Sequence, residues 1–378
     1  MRQPPSIAIV GAGPAGLTAA CILQKHGWAA TVFEADTAAA SRDQGGTLDL
    51  HADTGQIALE RAGLLPAFLA IARHEDQQNR LLDHRSGATL AQDGPAPGEG
   101  ERPEIDRRAL RDLLLEPLAA ETVRWGRRLK EIATGSGGRH RLRFEDGGSE
   151  SFDLVIGADG AWSRVRPALV DAQPVYTGVT FVELWIDDAD ARQPTLSQMV
   201  GHGTMFALHA GHGIVAQRNG GGHIRVYAVL HTSPDESART GIPLAGITRA
   251  DLLRRFDGWF PALLDLIAKA DAIAAVRPIV ALPPRLRWPP RRGLTLVGDA
   301  AHVMPPVGLG VNLAMLDAAD LAETLISAGD WVEAVTRFEE AMLDRAAPLA
   351  EEALIGFAEM FGPDAPRAML EHMRTRRD

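Results

Sequence analysis

The chain has 378 residues, 46% of them hydrophobic, and a formal charge of −10. That is enough apolar material for one large core or two joined domains. The acidic balance, with a sequence pI near 5.7, argues against nucleic acid or an anionic membrane surface as a partner. Cys21 is the only cysteine, so an intrachain disulfide is excluded and the composition suits a reducing cytoplasm.

No apolar run approaches the ~20 residues that span a bilayer. The first such run, Ile7 to Val10, leads straight into a glycine motif. It is expected to be a buried core strand and not part of a signal peptide. Residues 6 to 34 read as strand, tight glycine turn, helix from Ala15 to Lys25, and second strand at Thr31-Val32-Phe33. This βαβ unit implies a parallel sheet with a right-handed crossover. Cys21 falls within that helix, where it reads as a small buried hydrophobe. Residues 92 to 103, dense in Pro, Gly and Glu, mark an exposed loop. Helical patterning returns from Arg108 to Ala120, and a third apolar run, Leu154 to Ile156, leads into Gly157-Ala158-Asp159-Gly160.

From about 174 to 287 the texture becomes β-rich with glycine turns, as expected of a largely antiparallel sheet inserted as a second domain. From His223 to His231 the residues alternate. Ile224, Val226, Ala228 and Leu230 point one way; His223, Arg225, Tyr227, Val229 and His231 point the other. The α/β texture resumes at Leu294 to Val297. At the C-terminal end Trp331, Val335, Phe338, Met342, Leu349, Ala353, Phe357 and Met360 recur at helical spacing, predicting a helix packed on the body of the protein. Pro348 is expected to kink or interrupt it. Arg374, Arg376 and Arg377 read as a solvated tail.

Gly11-Ala12-Gly13-Pro14-Ala15-Gly16 fits G-x-G-x-x-G between a strand and a helix. Gly11 permits the tight turn, Gly13 lets the backbone approach a pyrophosphate, and Gly16 lets helix and strand pack closely. Ala15 lies in the helical turn whose free N–H groups hold phosphate. Glu34, ending the next strand, stands where a carboxylate accepts from ribose hydroxyls. It suits FAD or NAD and not NADP. The segment Gly298-Asp299-Ala300-Ala301-His302 ends a further strand. The loop after it, Pro305-Pro306-Val307-Gly308-Leu309-Gly310, opens a helix near Val311 and Asn312. Asp299 can accept from ribityl hydroxyls, and the helix start offers N–H groups to a reduced flavin. His302 reads as a hydrogen-bonded structural histidine. No cluster shows metal-ligand spacing.

These three motifs, in this order and spacing, resemble the FAD-dependent aromatic-hydroxylase family, the class A flavoprotein monooxygenases. Through Gly45-Gly46-Thr47-Leu48-Asp49-Leu50-His51 and Pro103-Glu104-Ile105-Asp106-Arg107, the chain looks closest to the tetracycline-inactivating members. The resemblance implies non-covalent FAD, with NADPH or NADH as a transient donor. It implies dioxygen transferred to an electron-rich aromatic substrate through a flavin hydroperoxide. It places Arg42 near the nicotinamide entry and Gly45, Asp49, Arg107 and Asp299 on FAD-contacting positions. Arg111, one turn beyond Arg107, is expected to face the same way. Asp159 falls in the family's motif for flavin and nicotinamide binding.

Against these stand surface ion pairs for the arginines and a solvated turn for Asp159. The loop at Val307 is one residue shorter than in such relatives. Gln198, Arg225, Tyr227 and Val307 are the substrate candidates, with Arg225 expected to pair with an ionised phenol or enol. The fold expected is an α/β Rossmann-type FAD-binding domain (1–74, 102–173, 288–330). Into it is inserted a largely antiparallel substrate domain (75–101, 174–287), and a C-terminal helical segment follows (331–378). A flavin reductase without oxygen insertion and a non-catalytic flavin-binding protein remain as alternatives.

Overall fold

The computed structural model describes residues 4–41, 45–94, 102–135, 138–232 and 246–375. Arg42, most of the 92–103 loop, and Arg376 and Arg377 of the basic tail lie outside them. Among the described residues no helix is long and apolar enough to cross a membrane.

Ile7–Val10 is buried throughout and pairs in parallel with Ala30–Phe33 on one side and Leu154–Gly157 on the other. Leu294–Leu296 and Val123–Arg124 complete a five-stranded parallel sheet. Strands covered on both faces have no polar side to present, which is why these segments read as continuous apolar runs. Helix Pro14–Lys25 crosses over between the first two strands, with Pro14 at its opening position; there a missing N–H costs nothing. Cys21 is buried in it, as expected. An antiparallel meander of Leu129–Thr134, His140–Phe144 and Ser149–Phe152 lays Phe144 and Phe152 on Phe33, with ring centroids 4.7 and 5.7 Å away. The helix expected from Arg108 to Ala120 runs from Arg107 to Leu115 instead. Glu116 still has helical dihedrals and donates to the Asp112 carbonyl, but Pro117 has no N–H to donate one turn back, and the helix ends there.

The second sheet has seven strands in the order Ala272–Ala281, Val175–Ile186, Ile224–His231, His212–Arg218, Gly203–His209, Gln78–Leu82, Thr89–Asp93. Neighbours are antiparallel except Gly203–His209 with Gln78–Leu82. The alternation along Ile224–His231 sorts as expected. Ile224, Val226, Ala228 and Leu230 enter a core shared with helices Arg249–Arg255 and Pro261–Ala268. On the other face Tyr227 and Val229 cluster with Phe181, Val307, Phe357 and Phe361. That second face looks toward the parallel-sheet unit.

Helix Trp331–Met360 joins the two units. Its 30 residues extend ~45 Å at 1.5 Å per residue. Val335, Phe338 and Met342 pack on the parallel-sheet core, Ala350 and Ala353 on Met304 and Leu313, and Phe357 beneath the seven-stranded sheet. Of the two outcomes expected at Pro348, a kink or an interruption, the interruption does not occur: the helix runs through it. Pro348 and Asp344, whose carbonyl loses its donor, are both exposed, so water can take the place of the missing bond.

Candidate functional site

The glycine turn divides its work as the sequence implies. Gly11 has φ of 106°, and a Cβ there would lie 2.3 Å from the Ala158 carbonyl oxygen. A Cβ at Gly16 would lie 2.0 Å from the Gly11 carbonyl oxygen, whereas one at Gly13 would meet nothing within 4 Å. Gly13 is thus the open face of the turn, and the helix starting at Pro14 has no side-chain cap on its first N–H groups. Buried Glu34 accepts from the Ala12 N–H at 2.7 Å and the Asp36 N–H at 2.9 Å. It braces the turn, and each carboxylate oxygen keeps a second lone pair for a ribose hydroxyl.

Gly298, at φ 58°, is the wedge between two helices. Its notional Cβ would lie 2.7 Å from Ala314 Cβ and 3.6 Å from Ala15 Cβ. The opening turns of Pro14–Lys25 and Gly310–Ser327 therefore stand side by side. The second helix also has no side-chain cap and no acidic residue in its first turn. Two open helix starts in one place are suited to an extended polyanion.

Asp299 lies at this junction, its Oδ1 3.9 Å from the notional Cβ of Gly310. Its side chain is open to solvent yet enclosed by the protein on its other sides. That enclosure raises its pKa, with the His302 and Arg107 charges pulling the other way. Three residues along, buried His302 places Nε2 2.5 Å from Asp317 Oδ2. Burial pulls the imidazole pKa down, but the Asp317 charge and hydrogen bond outweigh it and hold it above the ordinary value. Asp317 also accepts from the Gly298 N–H at 3.3 Å and pairs with Arg345 at 2.9 Å. His302 is the hydrogen-bonded structural histidine expected, fixing the Gly-Asp turn to the helix behind it.

The proline-glycine loop is sewn to strand Thr47–Asp49 by Asn312, which is buried. It donates to the Asp49 and Gly308 carbonyls at 2.9 and 3.1 Å and accepts from the His51 N–H at 2.9 Å. Pro306 and Gly308 are exposed on the loop, and Val311 is half-buried behind it. The Asp49 carboxylate lies beside Gly308, bonded to His51 at 2.9 Å. Gly45 and Gly46 are pressed between the two units. Arg107 donates its N–H to the Gly46 carbonyl at 3.1 Å, and a Cβ on Gly46 would lie 3.0 Å from the Tyr227 hydroxyl.

Arg111 does not face the same way as Arg107. It is buried against Asp36 at 3.4 Å and lies over the Trp125 ring at 5.2 Å, while Arg107 is exposed beside Gly46. Residues one turn apart share a stripe, but a long arginine stem follows the nearest carboxylate. Gln198 is likewise separated from the other candidates. It is exposed on helix Pro194–Val200, which packs Leu196 and Val200 into the opposite face of the seven-stranded sheet. A one-dimensional match does not register which face of a sheet a neighbouring helix covers.

Asp159 uses Oδ2 to accept from the Arg164 and Val165 N–H groups at 2.7 and 3.3 Å. Among the described residues its buried Oδ1 has no hydrogen-bond partner, so it is an acceptor suited to a ligand donor. Arg166 was not singled out from the sequence. It is wholly buried and donates to the carbonyls of Ala161, Ala172 and Ala300 at 2.8, 3.0 and 3.0 Å. It ties the Asp159 turn to the Asp299 helix. The only sequence signal is its place just beyond Asp159-Gly160.

A family model described as an FAD binding domain matches residues 5–331. The chain belongs to the FAD-dependent monooxygenase family. This flavoenzyme is 35% identical over 379 residues to the monooxygenase asqM of Emericella nidulans, covering 84% of this chain and 83% of that one. It is 30% identical to the kynurenine 3-monooxygenase of Stenotrophomonas maltophilia, over 94% of this chain and 79% of that one. Its fold matches the crystal structure of tetracycline destructase Tet(55) with a TM-score of 0.74 at 20% identity, covering 99% and 95% of the two chains. FAD is its cofactor, and the paired helix starts, the enclosed Asp299 and the orphaned Asp159 oxygen fit that group.

Proposed function

We propose that this flavoenzyme is an NAD(P)H-dependent monooxygenase. Its substrate is a phenolic, polyketide-like or tetracycline-like aromatic molecule held between the flavin and the seven-stranded sheet. One observation carries the reading: Arg225 and Tyr227, on the polar face of Ile224–His231, lie against Gly45 and Gly46 of the parallel-sheet unit, while His231 at the strand's end is exposed. The Tyr227 hydroxyl lies against Gly46 and senses the charge of Arg107, which also acts on Asp299. The floor and ceiling of one cleft are thereby linked. In this reading the flavin-binding part comprises 1–74, 102–173 and 288–330, the substrate part 75–101 and 174–287, and 331–378 straps them together.

The open turn at Gly13 and the first turn around Ala15 would hold the pyrophosphate at the start of Pro14–Lys25, with Gly16 letting that helix sit close to the strand; Glu34 would take the adenosine ribose, with Arg111 fixing Asp36 beside it. Asp299 and Arg107 would hold the ribityl chain. Gly45, Asp49 and the Pro306–Asn312 loop would border the ring, and Asp159 would take a donor from the cofactor or the nicotinamide. When bound, FAD supplies hydride acceptance from NAD(P)H and activation of dioxygen. The chain's own part is positioning and charge. The uncapped start of Gly310–Ser327 would offer its free N–H groups to negative charge on the ring. Phe181, Val229 and Val307 keep the ceiling apolar. Tyr227, its pKa pushed up to about 12 by burial and then by Glu183, stays neutral and can donate a hydrogen bond.

The test is NADPH consumption by the FAD-loaded protein with a panel of phenols and tetracyclines. Oxidation accelerated by at least one aromatic substrate is expected. A rate indifferent to all of them contradicts the proposal.

A further inference from the structure

The sequence singles out Arg225 as the residue that pairs with substrate, but in the structure Arg225 is already committed. It is 1% exposed. Its Nη1 lies 3.5 Å from Glu183 Oε2, and its guanidinium sits 4.5 Å above the Trp185 ring. Its Nη2 packs so closely on Gly45 that a Cβ there would lie 1.7 Å away. A guanidinium held on three sides by its own chain is a brace between the sheet and the Gly45-Gly46 turn.

Glu183 stands directly across from Tyr227 on the neighbouring strand. While one of its oxygens faces Arg225, the other accepts from Arg277 Nε. Arg277 lies on the edge strand Ala272–Ala281, and its side chain is 58% exposed. Among the described residues nothing accepts from its two terminal nitrogens. With Nε fixed by Glu183, the planar fork is oriented in advance and its remaining N–H groups are free for an incoming oxygen. Two guanidiniums against one carboxylate leave this patch positive. Arg107 adds a third guanidinium whose charge reaches the same Tyr227 hydroxyl.

We propose that Arg277 is the specificity-determining residue of this cleft. It takes an anionic oxygen of an aromatic substrate, either a carboxylate or an ionised phenol or enol, while Glu183 and Arg225 are positioning residues. The neutral Tyr227 hydroxyl, across from Glu183, donates to the same oxygen. This rests on the placement of substrate beneath the sheet proposed above.

The experiment uses the FAD-loaded protein in its oxidised state without NADPH. Benzoate, pentafluorophenolate and benzamide are titrated while flavin absorbance is followed. At least one anion should perturb the flavin saturably and bind roughly tenfold or more tighter than benzamide, the order expected of a charged hydrogen bond. Which anion is preferred separates a carboxylate from a phenolate-type oxygen. Arg277→Ala should abolish that preference with FAD occupancy and melting temperature unchanged, and Arg277→Lys should restore part of it. Arg225→Ala should instead alter the flavin spectrum without any ligand, through Gly45. Anions bound no better than benzamide by the wild type, or bound equally well by Arg277→Ala, overturn the inference. Because no turnover is read, anion binding through Arg277 in a protein whose NADPH oxidation ignores every substrate would leave the inference standing and the proposed function refuted.

Discussion

At single positions the glycine turn makes the sharpest separation between folding and function. Gly13→Ala meets open space and keeps an ordinary backbone conformation at φ −81°, so the variant should fold and lose FAD. Gly16→Ala drives a methyl into the Gly11 carbonyl, and overpacking of this kind costs ~1–3 kcal/mol of stability. Melting curves with FAD occupancy distinguish the two. A Gly13→Ala protein that retains full flavin would contradict the pyrophosphate site. Asp299→Ala should weaken FAD by about 1.5–3 kcal/mol, the worth of a charged hydrogen bond, read as the dissociation constant of the flavin. If Asp299 only caps its short helix, flavin binding stays unchanged and the melting point drops by ~1 kcal/mol equivalent. The glycine turn and the place of Asp299 beside the second helix start were legible because they sit in contiguous motifs. Arg166 was not, since its three carbonyl partners are 5, 6 and 134 residues away and only the folded chain brings them together. Glu183 and Arg277 escaped for the same reason, being 94 residues apart.

Among the elements, helix Gly310–Ser327 does most to place the site. Its open start faces the cleft, and Asp317 on its buried side holds His302 and Arg345. The folded protein binds the His302 proton more tightly than the unfolded chain does. The stability this contributes is full below the ordinary histidine value of about 6.5 and is lost as pH rises through the raised folded value. Wild-type melting temperature should therefore fall more steeply above that pH than the melting temperature of His302→Gln. Parallel slopes would show that the imidazole is neutral throughout. Strands and helices with strong periodicity were readable along the chain, from Ile7–Val10 to the alternating Ile224–His231. Helix ends and the contact faces of long side chains were not. Glu116-Pro117 closed one helix early, Asp36 drew Arg111 away from Arg107, and Gln198 fell on a helix covering the far side of the sheet.

Over the whole molecule, helix Trp331–Met360 contributes to both hydrophobic cores and links their stabilities. Phe357 is 2% exposed and meets Phe181 and Phe361. Phe357→Ala should cost ~3–5 kcal/mol. Circular dichroism and flavin release should then report one lowered transition, whereas two separated midpoints would show that the units unfold independently. Apolar spacing predicted this helix, but not its continuity through Pro348 or its reach across two cores, because both depend on which side meets water. The central claim is that the cleft between these units brings an aromatic substrate to a dioxygen-activating flavin. It is tested most directly by supplying NADPH and isotopically labelled dioxygen with the substrate that best accelerates NADPH oxidation, and weighing the product. The account predicts one labelled oxygen atom in the product for each productive turnover. NADPH consumed with all the label recovered as hydrogen peroxide or water, and none in any product, would contradict it.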